Sequence, residues 1–196
     1  MRLCFVGDSF VNGTNDPDGL GWVGRACRDL RAEVNDFTLY NLGIRRDTSA
    51  DIRARWRGEC AVRLPAGIDG RVVFSFGVND CSWADCGPRV APDQAMANAQ
   101  AILMECRALW PTLMVGPPPI ACADTNSRIA LLSAALASLC GGIGVPYLAV
   151  FDDLAASFAW MDEVAADDGA HPRAGGYAVL ADLVRGWEPF AAWLSR

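Results

Sequence analysis

Ser9, His171 and Asp168 are the residue types that acyl transfer needs. Each sits in a short glycine-bearing stretch, Gly7-Asp8-Ser9-Phe10 or Asp168-Gly169-Ala170-His171. A serine hydroxyl is a weak nucleophile until an imidazole takes its proton. The imidazole in turn needs a third group, usually a carboxylate, to hold the correct tautomer. His171 is the only histidine in the chain and so the single candidate base. Asp168, three positions before it, is the candidate orienting group, with Asp167 as its competitor. Negative charge developing on a substrate oxygen needs donors already aimed at it. The backbone N–H groups of Ser9 and Gly43 and the side-chain amide of Asn79 are the candidates. Gly43 has no side chain to block close approach, and Asn79 donates without carrying charge.

Composition removes competing chemistries. All 17 basic residues are arginine. Without a lysine amine there is no Walker-type phosphate loop, no Schiff-base enzyme and no kinase. The eight cysteines include no Cys-x-x-Cys pair, and with one histidine no metal site of the usual spacing is expected. Asn15-Asp16-Pro17-Asp18-Gly19 has a faint likeness to a calcium loop, but it lacks the later glutamate and a proline interrupts it, so it reads as turn chemistry. A net charge of −6 argues against a general nucleic-acid binder. No uninterrupted apolar run approaches the ~18 residues of a membrane span. The N-terminus enters a strand at once, with no basic stretch and apolar signal core, so a cytoplasmic protein with reduced thiols is the expectation.

The elements that must position these residues follow from hydrophobic period. With 196 residues, 52% of them apolar, the chain suits a single domain over 1–196. Short apolar runs alternate with segments of helical period, the signature of βαβ units and a parallel sheet. Strands are predicted at Leu3–Val6, Phe37–Leu42, Val72–Phe76, Thr112–Val115 and Val145–Phe151. Helices are predicted over Trp22–Arg31, from an Asp47 or Thr48 cap to about Gly58, from Pro92 to about Trp110, along Ile129–Leu139 up to Gly141-Gly142, and from Pro172 onward. The expected architecture is α/β, a three-layer α/β/α sandwich with five strands. In such sheets ligands bind beyond the carboxyl ends of the strands. Gly7-Asp8-Ser9, Gly43 and Gly77-Val78-Asn79-Asp80 each follow a strand, and Asp168 to His171 come after the fifth.

This constellation resembles the SGNH hydrolases, also called the GDSL esterase/lipase family. Gly7-Asp8-Ser9-Phe10 matches the first block, with Phe10 where leucine is usual. Gly43 in Asn41-Leu42-Gly43-Ile44 fits the second, Gly77-Val78-Asn79-Asp80 the third, and Asp168-x-x-His171 the last. The resemblance spans residues 2 to about 185. It implies a flavodoxin-like fold with strand order 2-1-3-4-5 and a Ser9-His171-Asp168 triad. It also implies an oxyanion hole from Ser9, Gly43 and Asn79. The family often has another small residue where this chain has Arg45-Arg46, which changes the shape and charge of the pocket mouth.

The reading is a serine esterase or acylhydrolase acting on a small-molecule carboxylic ester, short-acyl esters or thioesters in particular, with no metal or organic cofactor. Lysophospholipids and sugar acetates are alternative substrates on the same site. A different class of alternative is a non-catalytic flavodoxin-like module whose Ser9 loop holds a phosphate or FMN. Candidate walls of the cleft are Arg45, Arg46, Trp83, Pro117, Pro118 and Ile120. Six arginines between Arg45 and Arg63 outnumber three acids there, which reads either as a solvated helix face or as a preference for an anionic substrate.

Overall fold

The computed structural model describes residues 1–28, 30, 36–84 and 87–194. Strand β1 (Arg2–Gly7) is an inner strand of a parallel sheet. It pairs with β2 (Thr38–Gly43) on one side and β3 (Gly70–Ser75) on the other, followed by β4 (Thr112–Val115) and β5 (Tyr147–Leu148). In this numbering the order is 2-1-3-4-5, as expected. A separate two-stranded ribbon joins Trp83–Ala84 to Gly87–Pro88. The helices are α1 (Ser9–Asn12), α2 (Gly21–Ala26), α3 (Ser49–Arg63), α4 (Val78–Cys81) and α5 (Pro92–Leu109). The C-terminal half adds α6 (Ala123–Ile143), α7 (Phe151–Ala155), α8 (Phe158–Ala166), α9 (Ala174–Gly186) and α10 (Glu188–Leu194).

Side chains alternate across a strand, and here the alternation builds two cores. Leu3, Phe5, Val73, Leu113 and Val115 point to one face, where Trp22, Trp160, Tyr177 and Phe190 cover them. Cys4, Val6, Val72, Phe74 and Met114 point to the other, under Ile52, Trp56, Ile102 and Leu103. Burying one such large apolar side chain stabilises by about 1.5–3 kcal/mol. That is why β1 and β3, covered on both faces, read as continuous apolar runs.

Register places the site. Gly7 pairs with both Gly43 and Ser75, so β1, β2 and β3 end at the same height and release their loops along one edge.

Several boundaries differ from the sequence reading. Helix α3 starts where expected, with Thr48 as N-cap and a reciprocal capping box to Asp51. It runs past Gly58 because its buried stripe Ile52, Trp56, Cys60 continues, and it stops at Leu64, before Pro65. Helix α6 likewise passes through Gly141 and Gly142 and ends at Gly144, whose φ of 69° is the left-handed turn that glycine adopts cheaply. Length and composition alone would let α6 cross a bilayer, although no uninterrupted apolar run is that long. In this fold its stripe of Ile129, Leu136 and Cys140 is buried. Strand β5 keeps only two residues because it is an edge paired solely to the short β4, and Phe151 already opens a helix. The first predicted helix ends at Ala26, and Arg28 and Leu30 then bond carbonyls three residues back. Its predicted end, Arg31, and one of the eight cysteines, Cys86, lie outside the described residues.

Candidate active site

Ser9 opens α1 directly beyond β1. Asp8 is the N-cap and its carboxylate accepts the Phe10 N–H at 3.0 Å. The Ser9 side chain is buried, and its Oγ lies 2.7 Å from His171 Nε2. On the far side of the ring, His171 Nδ1 is 2.7 Å from Asp168 Oδ2. Asp168 Oδ1 also accepts the backbone N–H groups of Ala170 and His171, at 2.9 and 2.8 Å. The structure thus joins residues 162 positions apart into one relay, and it selects Asp168 over Asp167, which is the exposed C-cap of α8. Burial by itself would raise the Asp168 carboxyl. The bonds from the His171 N–H, the imidazole and the Ala170 N–H outweigh it and hold the group down at about 2.

The loop carrying Asp168 and His171 is clamped from both ends. Glu163 on α8 accepts the N–H groups of Arg173, Gly175 and Gly176 at 2.8, 3.0 and 2.6 Å. These are the donors that the first turn of α9 leaves unpaired. Phe10 lies between the His171 ring, 4.9 Å between centroids, and Trp160, 6.2 Å away.

Asn79, on α4, donates its amide to Asp47 O at 3.0 Å and to Asp8 Oδ2 at 3.3 Å. It shares a cleft of about 340 Å³ with Ser9, Phe10, Arg45, Arg46, Val78, Ser82, Ile120, Ala170 and His171. The neighbouring Asp80 is buried and accepts the Ser49 N–H and hydroxyl, tying α4 to the start of α3. Burial pushes its carboxyl up, and the two Ser49 bonds partly offset that. Asp8 is pushed up to about 7, first by burial and further by Asp80 and Asp47, against the lowering bond from the Phe10 N–H. Both aspartates accept from backbone N–H groups, Asp8 within its own turn and Asp80 from the start of α3.

Two expectations about the cleft walls need correction, and one expected donor has a local partner. Gly43 is not part of the cleft lining, and its N–H is donated to Asn41 Oδ1 at 3.0 Å. The glycine is required for packing: a Cβ there would stand 2.2 Å from the Asn12 N of α1. Trp83 does not line the cleft either. It is exposed on the ribbon, with the Arg128 guanidinium 5.0 Å above its ring. Pro117 and Pro118 are buried and also absent from the lining; a Cβ on Gly77 would lie 3.5 Å from Pro117, which marks how closely that proline packs. Arg45, Arg46 and Ile120 do line it.

One participant was invisible in the sequence: Asn15 donates from its side chain to Asp168 Oδ2 at 3.1 Å, and Arg45, an expected wall residue, brings Nη2 to 3.8 Å from the same oxygen. Asn15 has a φ of 67° and Arg46 a φ of 72°, so two of the three left-handed non-glycine residues among the described residues flank the site. Asparagine tolerates this conformation, whereas arginine pays about 1–2 kcal/mol for it. The Asn15 loop is fixed by Asp16, which accepts the Leu20 and Gly21 N–H groups at 2.9 and 2.7 Å and pairs with Arg25. Tyr177 OH also donates to Thr14 O at 2.8 Å, linking this loop to α9. A further hollow of about 170 Å³, walled by Pro88, Val90, Met96, Leu131 and Leu132, includes neither Ser9 nor His171.

A serine, an imidazole and a carboxylate in this chain of contacts, at the strand ends of a doubly wound sheet, define a serine hydrolase that acts on ester bonds. The chain belongs to the GDSL-like lipase/acylhydrolase family, which residues 5–179 match. Its fold is similar to that of the lipase/acylhydrolase from Enterococcus faecalis, with a TM-score of 0.76 at 21% identity over 94% of this chain and 93% of that one. The acetylxylan esterase Axe2 from Geobacillus stearothermophilus superposes with a TM-score of 0.75 at 19% identity over 96% and 95%. LAE5, an alpha/beta hydrolase from the metagenome of Lake Arreo, gives 0.75 at 19% over 99% and 94%. Comparison with curated protein sequences gave no match.

Proposed function

We propose that the protein hydrolyses small carboxylic esters through an acyl-enzyme on Ser9. His171 Nε2 takes the Ser9 proton as Oγ attacks the carbonyl carbon, and Asp168 holds Nδ1–H so that Nε2 is free to accept. The tetrahedral oxygen is stabilised by the Ser9 N–H and the Asn79 amide. The third donor that the sequence suggests, the Gly43 N–H, is held by Asn41 Oδ1, as the Asn79 amide is held by Asp47 O and Asp8 Oδ2, so both exchange a local bond for one to the oxyanion. His171 then protonates the leaving alcohol, and a water attacks the acyl carbonyl with His171 again as base, releasing the acid and restoring Ser9.

The 2.7 Å contact between Ser9 Oγ and His171 Nε2 is the observation that supports this reading most directly. A cleft of about 340 Å³ fits a short acyl group and a modest alcohol better than a long lipid chain. Substrates of the sugar-acetate kind suit that size, in keeping with the acetylxylan esterase among the structural neighbours. Catalytic mutants of that esterase change a serine, an aspartate and a histidine, the same three residue types.

The test combines labelling with turnover. A fluorophosphonate should label the protein at Ser9, and Ser9→Ala should lose labelling together with at least about 10³-fold in kcat on p-nitrophenyl acetate. Labelling at another residue, or full turnover by Ser9→Ala, would refute the assignment.

A further inference from the structure

We propose that Arg46 selects esters carrying an anionic group, a carboxylate or a phosphate, close to the scissile bond. The inference rests on the esterase reading above and adds the charge of the substrate. The first observation is a contrast of sign. The chain carries a net charge of −6, so its overall field repels anions. Yet the residues lining the cleft include two arginines, Arg45 and Arg46, and no acid.

The second observation concerns how the arginine cluster is used. Arg53 donates to Asn98, Arg55 pairs with Asp47 and Glu59, Arg57 with Glu105 and Arg63 with Glu59. Arg45 leans toward Asp168 at 3.8 Å, so its charge is partly met. Arg46 is the one member of the six without a partner among the described residues. Most of the cluster is therefore a paired, solvated helix face, and one unpaired arginine is left on the cleft that Ser9 also lines.

The third observation is conformational. Arg46 holds a φ of 72°, which glycine adopts at no steric cost and an arginine resists. Strain of this kind persists where surrounding structure imposes it, and it is commonest at ligand-binding sites. A guanidinium fork presents paired donors matched to carboxylate or phosphate oxygens. Inside a cleft, a contact shorter than the ~8 Å Debye length at physiological salt is only partly screened.

Three acetyl esters of similar size separate the possibilities: 2-methoxyethyl acetate, 3-acetoxypropanoate and 2-acetoxyethyl phosphate, followed by acid release in a pH-stat. The wild-type protein should favour at least one anionic ester over the neutral one by roughly five- to thirtyfold in kcat/KM. The better of the two identifies a carboxylate or a phosphate as the source of charge. That ratio should fall to about one in Arg46→Gly, which suits the left-handed backbone, and in Arg46→Ala. Arg46→Lys should recover part of it, and raising ionic strength from about 0.02 to 0.5 M should erode it in the wild type alone. A wild-type ratio near one, or a ratio unchanged in Arg46→Gly while all three rates fall together, would overturn the inference and leave the esterase reading standing. Turnover of none of the three, together with no fluorophosphonate labelling of Ser9, would overturn both.

Discussion

Asp8 adjoins Ser9 and Asp168 touches His171, yet the two carboxyls meet opposite electrostatic fates. Asp168 has a side chain about one third exposed and accepts from the Ala170 and His171 N–H groups, the imidazole and Asn15. Its carboxyl is held at about 2. Asp8 is 1% exposed, accepts from Phe10 and more distantly from Asn79, and is pushed to about 7. Burial disfavours the carboxylate at both positions. What separates them is how deep the burial runs and how many donors answer it. A group that must stay ionised beside an imidazole is given donors, and a group that only caps a helix is left without enough of them.

The strongest way to break that contrast is Asp168→Asn, which keeps shape and removes charge. It should lower kcat about 10⁴-fold in ester turnover, because the imidazole loses the acceptor that fixes its tautomer. A loss under tenfold would mean that Asp168 does not orient His171. Since Asp168 stays ionised down to about pH 2, it should not shape the activity profile above pH 4.

A gentler probe is Asn15→Ala, which deletes one donor to Asp168 Oδ2. The expected cost is roughly two- to tenfold in kcat/KM, the size of one hydrogen bond. If Asn15→Ala has no effect, the remaining donors suffice to hold the carboxylate.

Asp8→Asn tests the other side through stability. A carboxyl whose folded value is raised binds its proton more tightly in the native state. Stability from Asp8 is therefore full below about pH 4, falls as pH rises toward about 7, and is flat above that. Asparagine still accepts the Phe10 N–H, so the Tm difference between pH 5 and pH 8 should shrink by a few degrees relative to the wild type. An unchanged difference would show that Asp8 does not titrate in that window. Asp168 has the opposite sign: its contribution is complete above about pH 4 and disappears as pH falls through about 2.

Much of this centre was legible because the Ser9 and Asn79 motifs each follow a buried strand, and strand ends in a parallel sheet converge. Asp168 and His171 lie two helices past β5 and were legible instead as the lone imidazole with a carboxylate three positions before it, and the five-stranded order follows once the resemblance is added. Gly43 is ambiguous in sequence because a glycine after a strand suits two jobs equally well. Only the 2.2 Å approach of Asn12 shows that it makes room for α1. Asn15 stayed hidden because its partner is 153 positions away and Asn-Asp-Pro-Asp-Gly already has an adequate explanation as a turn. Trp83 shows the reverse error, since nearness to Asn79 in sequence says nothing about which way the ring faces. The left-handed φ of Arg46 has no sequence signature, because arginine is not a residue chosen for that conformation.

Base and orienting group ride together on one four-residue span, while the nucleophile belongs to the first strand of the sheet. The seam between α8 and α9, closed by Glu163, is consequently the joint on which both depend. Loosening it withdraws imidazole and carboxylate in a single movement and leaves the sheet intact. Heat inactivation should then run ahead of global melting, with amide exchange at Arg173, Gly175 and Gly176 as the earliest sign that the protein has gone silent.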